Sequence, residues 1–225
     1  MIRGVVFDKD GTLFDFHASW GDWAAGFLSA LSDDPGDLAQ AIGFDLATRR
    51  FAPDSPAIAG TPEGIAARLL PHLPGRTMPD LVAQMNHLAA EAPMVPAADL
   101  PTLLEVLAGR GLRLGVATND AAAPARRHLS EHGILGRFDF VAGFDSGHGA
   151  KPGPGQLLAF CRAVGLDPAE VAMVGDSAHD LQAGRAAGML CVGVLTGPAR
   201  RDDLLPLADA VLDDIGGLPD WLDGL

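Results

Sequence analysis

Residues 5–15 read VVFDKDGTLFD, an apolar run that ends abruptly in two aspartates, Asp8 and Asp10, followed by Gly11 and Thr12. A strand with no polar residue needs cover on both faces, which is the situation of a parallel sheet sandwiched between helices. In such sheets ligands bind at the carboxyl ends of the strands, so a carboxylate pair at that end is a candidate site from the outset.

The chain from residue 98 onward repeats the theme. Leu100, Leu103, Leu104 and Leu107 lie on one helical face, and Gly109 and Gly111 bracket its end. Residues 112–118 then read as a strand, 122–132 as a helix, 138–143 as a short strand and 154–164 as a helix with Leu157, Cys161 and Val164 on one stripe. Strand 171–176, helix 178–188 and strand 190–195 complete the series. The expected fold is α/β, a Rossmann-like doubly wound parallel sheet. Residues 16–92 break the alternation. Helix starts are legible there at Asp34-Pro35, Thr61-Pro62 and Met78-Pro79, and Pro93, Pro96 and Pro101 mark the return to the sheet. The expected division is a core of residues 1–15 and 93–225 with a helical cap domain, 16–92, inserted after the first strand.

Composition narrows the partners. The 225 residues are 48% hydrophobic and carry a formal net charge of -13, which repels polyanions, so neither nucleic acid nor an anionic membrane is an expected partner. Small molecules are favoured, with the protein a monomer or a homodimer. Cys161 and Cys191 lie far apart without a second Cys/His cluster, so buried thiols are expected rather than a disulfide or a zinc site. The N-terminal apolar run is too short for a signal peptide and no 18-residue apolar run occurs elsewhere, so a cytoplasmic location is expected.

Four strand ends or following loops carry polar chemistry: Asp8/Asp10, Thr118-Asn119-Asp120, Lys151-Pro152 and Gly175-Asp176-Ser177 with Asp180. Asp8 and Asp10 converging with Asp176 would repel one another unless a hard cation lay between them, and Mg2+ takes oxygen ligands of this kind. A strand-end carboxylate can attack phosphorus, and a second one two residues on can protonate a leaving oxygen and then activate water. Thr118 and Asn119 offer a hydroxyl and amide groups to phosphate oxygens, and Lys151 offers a balancing charge.

These segments, FDKDGTL at 7–13, VATND at 116–120, KPGP at 151–154 and VGDSAHD at 174–180, resemble in order the four motifs of the haloacid dehalogenase superfamily of phosphatases. The overall layout is most similar to its phosphoglycolate phosphatase-like branch. The resemblance implies Asp8 as nucleophile and Mg2+ ligand, and Asp10 as general acid/base touching the metal through its backbone carbonyl. It further implies Thr118, Asn119 and Lys151 at the phosphoryl group and Asp176 in the metal site, with Asp180 behind. It makes the insert a cap that selects substrate, for which His17, Trp20, Arg49, Arg50 and the loop 55–64 are the candidates. Lys9 departs from the family, which more often has an apolar residue there; its side chain is expected to point away from Asp8, to the surface or the cap. His179 is expected at the surface.

The expected function is a Mg2+-dependent phosphatase for a small monoester, phosphoglycolate-like or a sugar phosphate, acting through an aspartyl-phosphate. The alternatives are a phosphomutase of the β-phosphoglucomutase type and a non-catalytic binding protein that kept the fold.

Overall fold

The computed structural model describes residues 1–52, 54–58 and 60–225. The first strand, β1 (Gly4–Phe7), leads into an insert of helices α1 (Phe16–Leu31), α2 (Gly36–Ala41), α3 (Pro62–Leu69) and α4 (Met78–Ala89), with a two-residue antiparallel ladder, β2 (Phe44–Asp45) and β3 (Arg50–Phe51), between α2 and α3. The chain then alternates through α5 (Leu100–Gly109), β4 (Arg113–Ala117), α6 (Ala122–Glu131), β5 (Phe140–Ala142), α7 (Gly155–Val164), β6 (Val171–Gly175), α8 (Ala178–Ala187), β7 (Leu190–Val194), α9 (Arg201–Leu204), β8 (Ala210–Leu212) and α10 (Leu218–Asp223).

The six long-range strands form one parallel sheet in the order β5-β4-β1-β6-β7-β8. Strand β1 is the reversal point: its Phe7 lies level with Val116 of β4 on one side and Val174 of β6 on the other. The chain runs from β1 through β4 to β5 on one side and re-enters at β6 on the other, so a crevice opens above the carboxyl ends of β1 and β6, where Asp8 and Asp176 follow.

Alternate side chains of each strand enter opposite layers. Val5 and Phe7 pack with Leu104, Leu107 and Val116, and that cluster runs on through Leu13, Phe14 and Phe16 into the insert. Val6 and Met173 pack on the other face with Leu157, Phe160 and Ala183. The Phe160 ring lies flat against the sheet where β4 has Gly115, since a Cβ there would stand 2.6 Å from Cδ2 of the ring.

The insert is helical, as its prolines foretold, with Thr61 and Thr77 capping α3 and α4 by accepting from Gly64 and Asp80 N–H groups. Helix α1 carries no such proline and was not legible as a start; Asp15 caps it, accepting from Ala18 N–H at 2.8 Å. The β2–β3 ladder is too short to leave an alternating pattern, and β8 lay unmarked in the closing segment. Among the described residues no helix is long and apolar enough to cross a membrane.

Gly115→Ala is expected to cost about 1–3 kcal/mol by overpacking, read from urea unfolding, and Phe160→Leu in the same chain should recover part of the loss. An unchanged midpoint for the single variant would contradict this packing.

Candidate active site

Five carboxylates and both lysines of the chain meet at the carboxyl end of β1. Asp8 continues the pairing of β1, its N–H donating to Val174 O at 2.8 Å. Two residues on, the chain turns at Gly11 with φ +88°. Any Cβ there would run into the Asp176 carboxylate, so glycine serves both the turn and the close approach.

Lys151 Nζ donates to Asp8 Oδ1 at 2.5 Å and to Asp180 Oδ1 at 2.6 Å. The other Asp180 oxygen accepts from Ser177 N–H at 3.0 Å and Ser177 Oγ at 2.6 Å, so Asp180 also closes the capping box of α8. Burial works against the Lys151 charge, but Asp180 and Asp8 outweigh it and hold the ammonium above its ordinary range. Asp8 is pushed up to about 7 by burial, opposed by Lys151 and reinforced by Asp180 and Asp10. Asp176 is raised well above the usual carboxylate range by burial, then by Asp180 and Asp8.

Oxygens of Asp8, Asp176 and Asp180 lie within 4.8 Å of one another, all three buried. Hard anionic donors gathered this closely, with two of them resisting ionisation, fit a divalent cation of the Mg2+ type that would relieve their mutual repulsion. Asp180, expected behind such a site, brings an oxygen into the cluster itself. The Asp10 carboxylate stands outside it.

Asp10 is held differently. Its Oδ1 accepts from Lys9 Nζ at 2.7 Å and from Trp20 Nε1 at 2.8 Å. Lys9 is 0% exposed, which overturns the surface half of its expectation. Its ammonium also pairs with Asp120 Oδ2 at 3.2 Å, reaches His128 Nδ1 at 3.2 Å and sits 5.3 Å from the centre of the Trp20 ring. All three N–H donors therefore have partners. Since Lys can only donate, His128 Nδ1 accepts, and Nε2–H donates to Ala89 O of the insert at 2.8 Å. Burial and the Lys9 charge hold His128 down at about 4, which keeps the imidazole neutral. Burial opposes the Lys9 charge too, and Asp10 and Asp120 overcome it.

Thr118 and Asn119 line the same crevice from the end of β4. The Thr118 hydroxyl accepts from Asp120 N–H at 3.0 Å, leaving its proton available to a phosphate oxygen. The Asn119 amide is used at both ends on the Lys151 backbone, accepting at 2.8 Å and donating at 2.9 Å. Its side chain thus positions Lys151.

Above the carboxylates is a cavity of about 100 Å3 roofed by the insert. Trp20 lines it, as do residues 57, 58, 60 and 62 of the loop 55–64; Ala59 lies outside the described residues. The expected contacts from His17, Arg49 and Arg50 are not made. On α1 the residues at 16, 20 and 23 share the inward face, and His17 is turned about 100° away, edge-on to Phe16 at 5.7 Å. On β3 Phe51 points inward, so Arg50 points out, and Arg49 pairs with exposed Asp22 at 2.5 Å. His179, expected at the surface, is half-buried on the cavity wall with an unpartnered Nδ1. Phe16, Trp23, Met85 and Asn86 were not anticipated, although Phe16-Trp20-Trp23 at i, i+4, i+7 was a readable signal.

Lys9→Met would strand Asp10 and Asp120 without their cation. The expected loss is about 3–5 kcal/mol in urea unfolding at pH 8, and a smaller one at pH 5, where Asp120, whose carboxyl burial raises, more readily takes up a proton. Equal stability of variant and wild type at pH 8 would refute the role of Lys9 as the buried counter-ion.

Comparison with known proteins agrees with this geometry. A family model for haloacid dehalogenase-like hydrolases matches residues 2–188. The chain is 33% identical over 233 residues to a phosphoglycolate phosphatase of Rhodospirillum rubrum, covering 99% of this chain and 91% of that one. It is 32% identical over 217 residues to a Dickeya dadantii protein named "Probable phosphatase IndB", covering 93% and 88%. The fold superposes on the crystal structure of CbbY from Rhodobacter sphaeroides in complex with phosphate with a TM-score of 0.76 at 21% identity, over 97% of this chain and 96% of that one.

Proposed function

The chain belongs to the haloacid dehalogenase-like hydrolase family, and from that membership we propose that it is a Mg2+-dependent phosphatase that hydrolyses a small phosphate monoester through an aspartyl-phosphate on Asp8. The observation that carries the reading is the buried pairing of Asp8 with Lys151 beside Asp176 and Asp180, below a half-open cavity. The names of the relatives, phosphoglycolate phosphatase among them, support the same reaction class.

The residues divide the work as follows. Lys151 draws the phosphoryl group and the Asp8 carboxylate together and keeps the latter aimed, while Asn119 fixes the Lys151 backbone. Asp8 attacks phosphorus, and the bond to the leaving oxygen breaks as Asp10 delivers a proton to that oxygen. The alcohol departs. Asp10, now a carboxylate, takes a proton from water, which attacks the phosphorus of the aspartyl-phosphate and frees phosphate and Asp8. The clamp of Lys9 and Trp20 on Asp10 Oδ1 leaves Oδ2 for these transfers. Asp8, Asp176 and Asp180, with the Asp10 backbone carbonyl, would hold the Mg2+, whose charge makes the phosphorus more electrophilic and offsets the crowding of anions. The insert keeps bulk water from the first step.

The mutase alternative needs a roof that grips a sugar by many hydrogen bonds as it turns over. The roof here is mostly aromatic and aliphatic, and favours hydrolysis of a smaller ester.

Phosphate release from a panel of small monoesters, with Mg2+ or EDTA, tests the reading. Release is expected only with Mg2+ and should fall to background in Asp8→Asn. Release that persists in that variant would overturn the assigned nucleophile.

A stability measurement tests the metal site separately. A carboxyl raised from its ordinary value to about 7 contributes stability that is complete below about pH 4 and lost as pH rises through 7. In EDTA at pH 8, Asp8→Asn should therefore melt about 4–8 °C above wild type, roughly 2 kcal/mol, with the gap closing near pH 4. Mg2+ should raise the wild-type Tm more at pH 8 than at pH 5, because binding needs ionised carboxylates. A Mg2+ effect independent of pH would argue against this ligand set.

A further inference from the structure

The roof of the cavity says which leaving group it accepts. Phe16, Trp20, Trp23, Phe51, Ile65 and Met85 form most of it. Among the described lining residues Lys151 is the single Lys or Arg, and its ammonium is committed at the floor to Asp8 and Asp180. The chain's other lysine, Lys9, is enclosed by Asp10, Asp120 and His128. The arginines nearest in sequence face outward, Arg49 in an exposed pair with Asp22. A substrate carboxylate under this roof would give up its water for aromatic rings with no cation to replace it, and would add a negative charge above a cluster of acids.

The roof's own polar side chains, from Trp23 and Asn86, carry no charge. Asn86 Oδ1 and Trp23 Nε1 are both enclosed without a partner, one an acceptor and the other a donor. His179 stands beside Asp180 at the floor. A ligand hydroxyl or amide beside Trp23 and Asn86 would bring a polar partner to the side of the roof where two polar atoms have none, and the remainder of its surface would meet apolar side chains. The cavity volume, about 100 Å3, suits an alcohol of a few carbons.

Resting on the phosphatase activity proposed above, we infer that the enzyme selects the phosphate ester of a small, uncharged, largely apolar alcohol with one hydrogen-bonding group, and discriminates against hydroxy-acid phosphates such as phosphoglycolate. Discrimination resides in α1 and α4, through Trp23 and Asn86, and in the apolar ring around them.

The test compares 2-phosphoglycolate with 2-phosphoglycolamide, which has the same shape without the carboxylate charge, and with isobutyl phosphate. With wild type and Mg2+ the amide should exceed the acid in kcat/KM by at least about tenfold, or 1.4 kcal/mol, with isobutyl phosphate between them. Met85→Arg, which places a cation in the roof, should narrow or reverse the acid-to-amide ratio; Met85→Leu, of similar volume, should leave it unchanged and controls for folding. The same pair is titrated calorimetrically against Asp8→Asn in Mg2+, where turnover is removed. An acid that is hydrolysed or bound as well as the amide by the chain with its native roof overturns the inference. Absence of hydrolysis for every ester would overturn the phosphatase reading instead, and the ratio of the two binding constants would still decide whether the roof rejects charge.

Discussion

Mutual repulsion among carboxylates crowded at the end of β1 is the constraint around which the rest is arranged. Asp8, Asp176 and Asp180 bring oxygens within 4.8 Å of one another out of reach of bulk water, and Asp10 and Asp120 stand close by. Such a cluster survives only because counter-charges and small residues are built in around it. Lys151 bridges Asp8 and Asp180, Lys9 bridges Asp10 and Asp120, and Gly11 and Gly197 approach Asp176 where any side chain would collide with it. Five carboxylates against two ammonium groups still leave an excess of negative charge, and a divalent cation is the group that the excess suits.

The two lysines separate two tasks. Lys151 serves Asp8 and Asp180. Lys9 serves Asp10 and Asp120, and its shell reaches the insert on two paths, through the Trp20 ring and through His128 to Ala89 O. The Asp10 carboxyl is consequently oriented by a side chain of the insert as well as by the core. Roof and floor are joined at this point by the Trp20 contact with Asp10. The division of polarity follows the same line: charge is concentrated on the floor, where phosphate and metal chemistry need it, while the roof offers apolar surface and two neutral hydrogen-bonding atoms.

Much of this was legible in the chain because strand ends are local. An apolar run, an abrupt Asp-x-Asp and a Gly in the next position report a buried strand, its polar end and a tight turn within a few residues. Thr118, Lys151 and Asp176 were readable for the same reason. The link from the Asn119 amide to the Lys151 backbone was not legible, because the loop that carries Lys151 lies 32 residues on. That His17, Arg49 and Arg50 do not line the cavity could not be read from the chain, because the pitch of α1 and the two-residue β3 turn them outward.

The sequence by itself determined the parallel sheet, the helical insert and the set of polar groups gathered at the strand ends, since each depends on periodicity or on residue types at the end of one element. Tertiary structure alone decided where Lys9 points, which side chains line the roof and that no cation stands among them in the described residues. The physical reason is that a buried charge is defined by its partners. The partners of Lys9 come from positions 10, 120 and 128, and the ring over it from position 20, so no stretch of chain short enough to read contains them together.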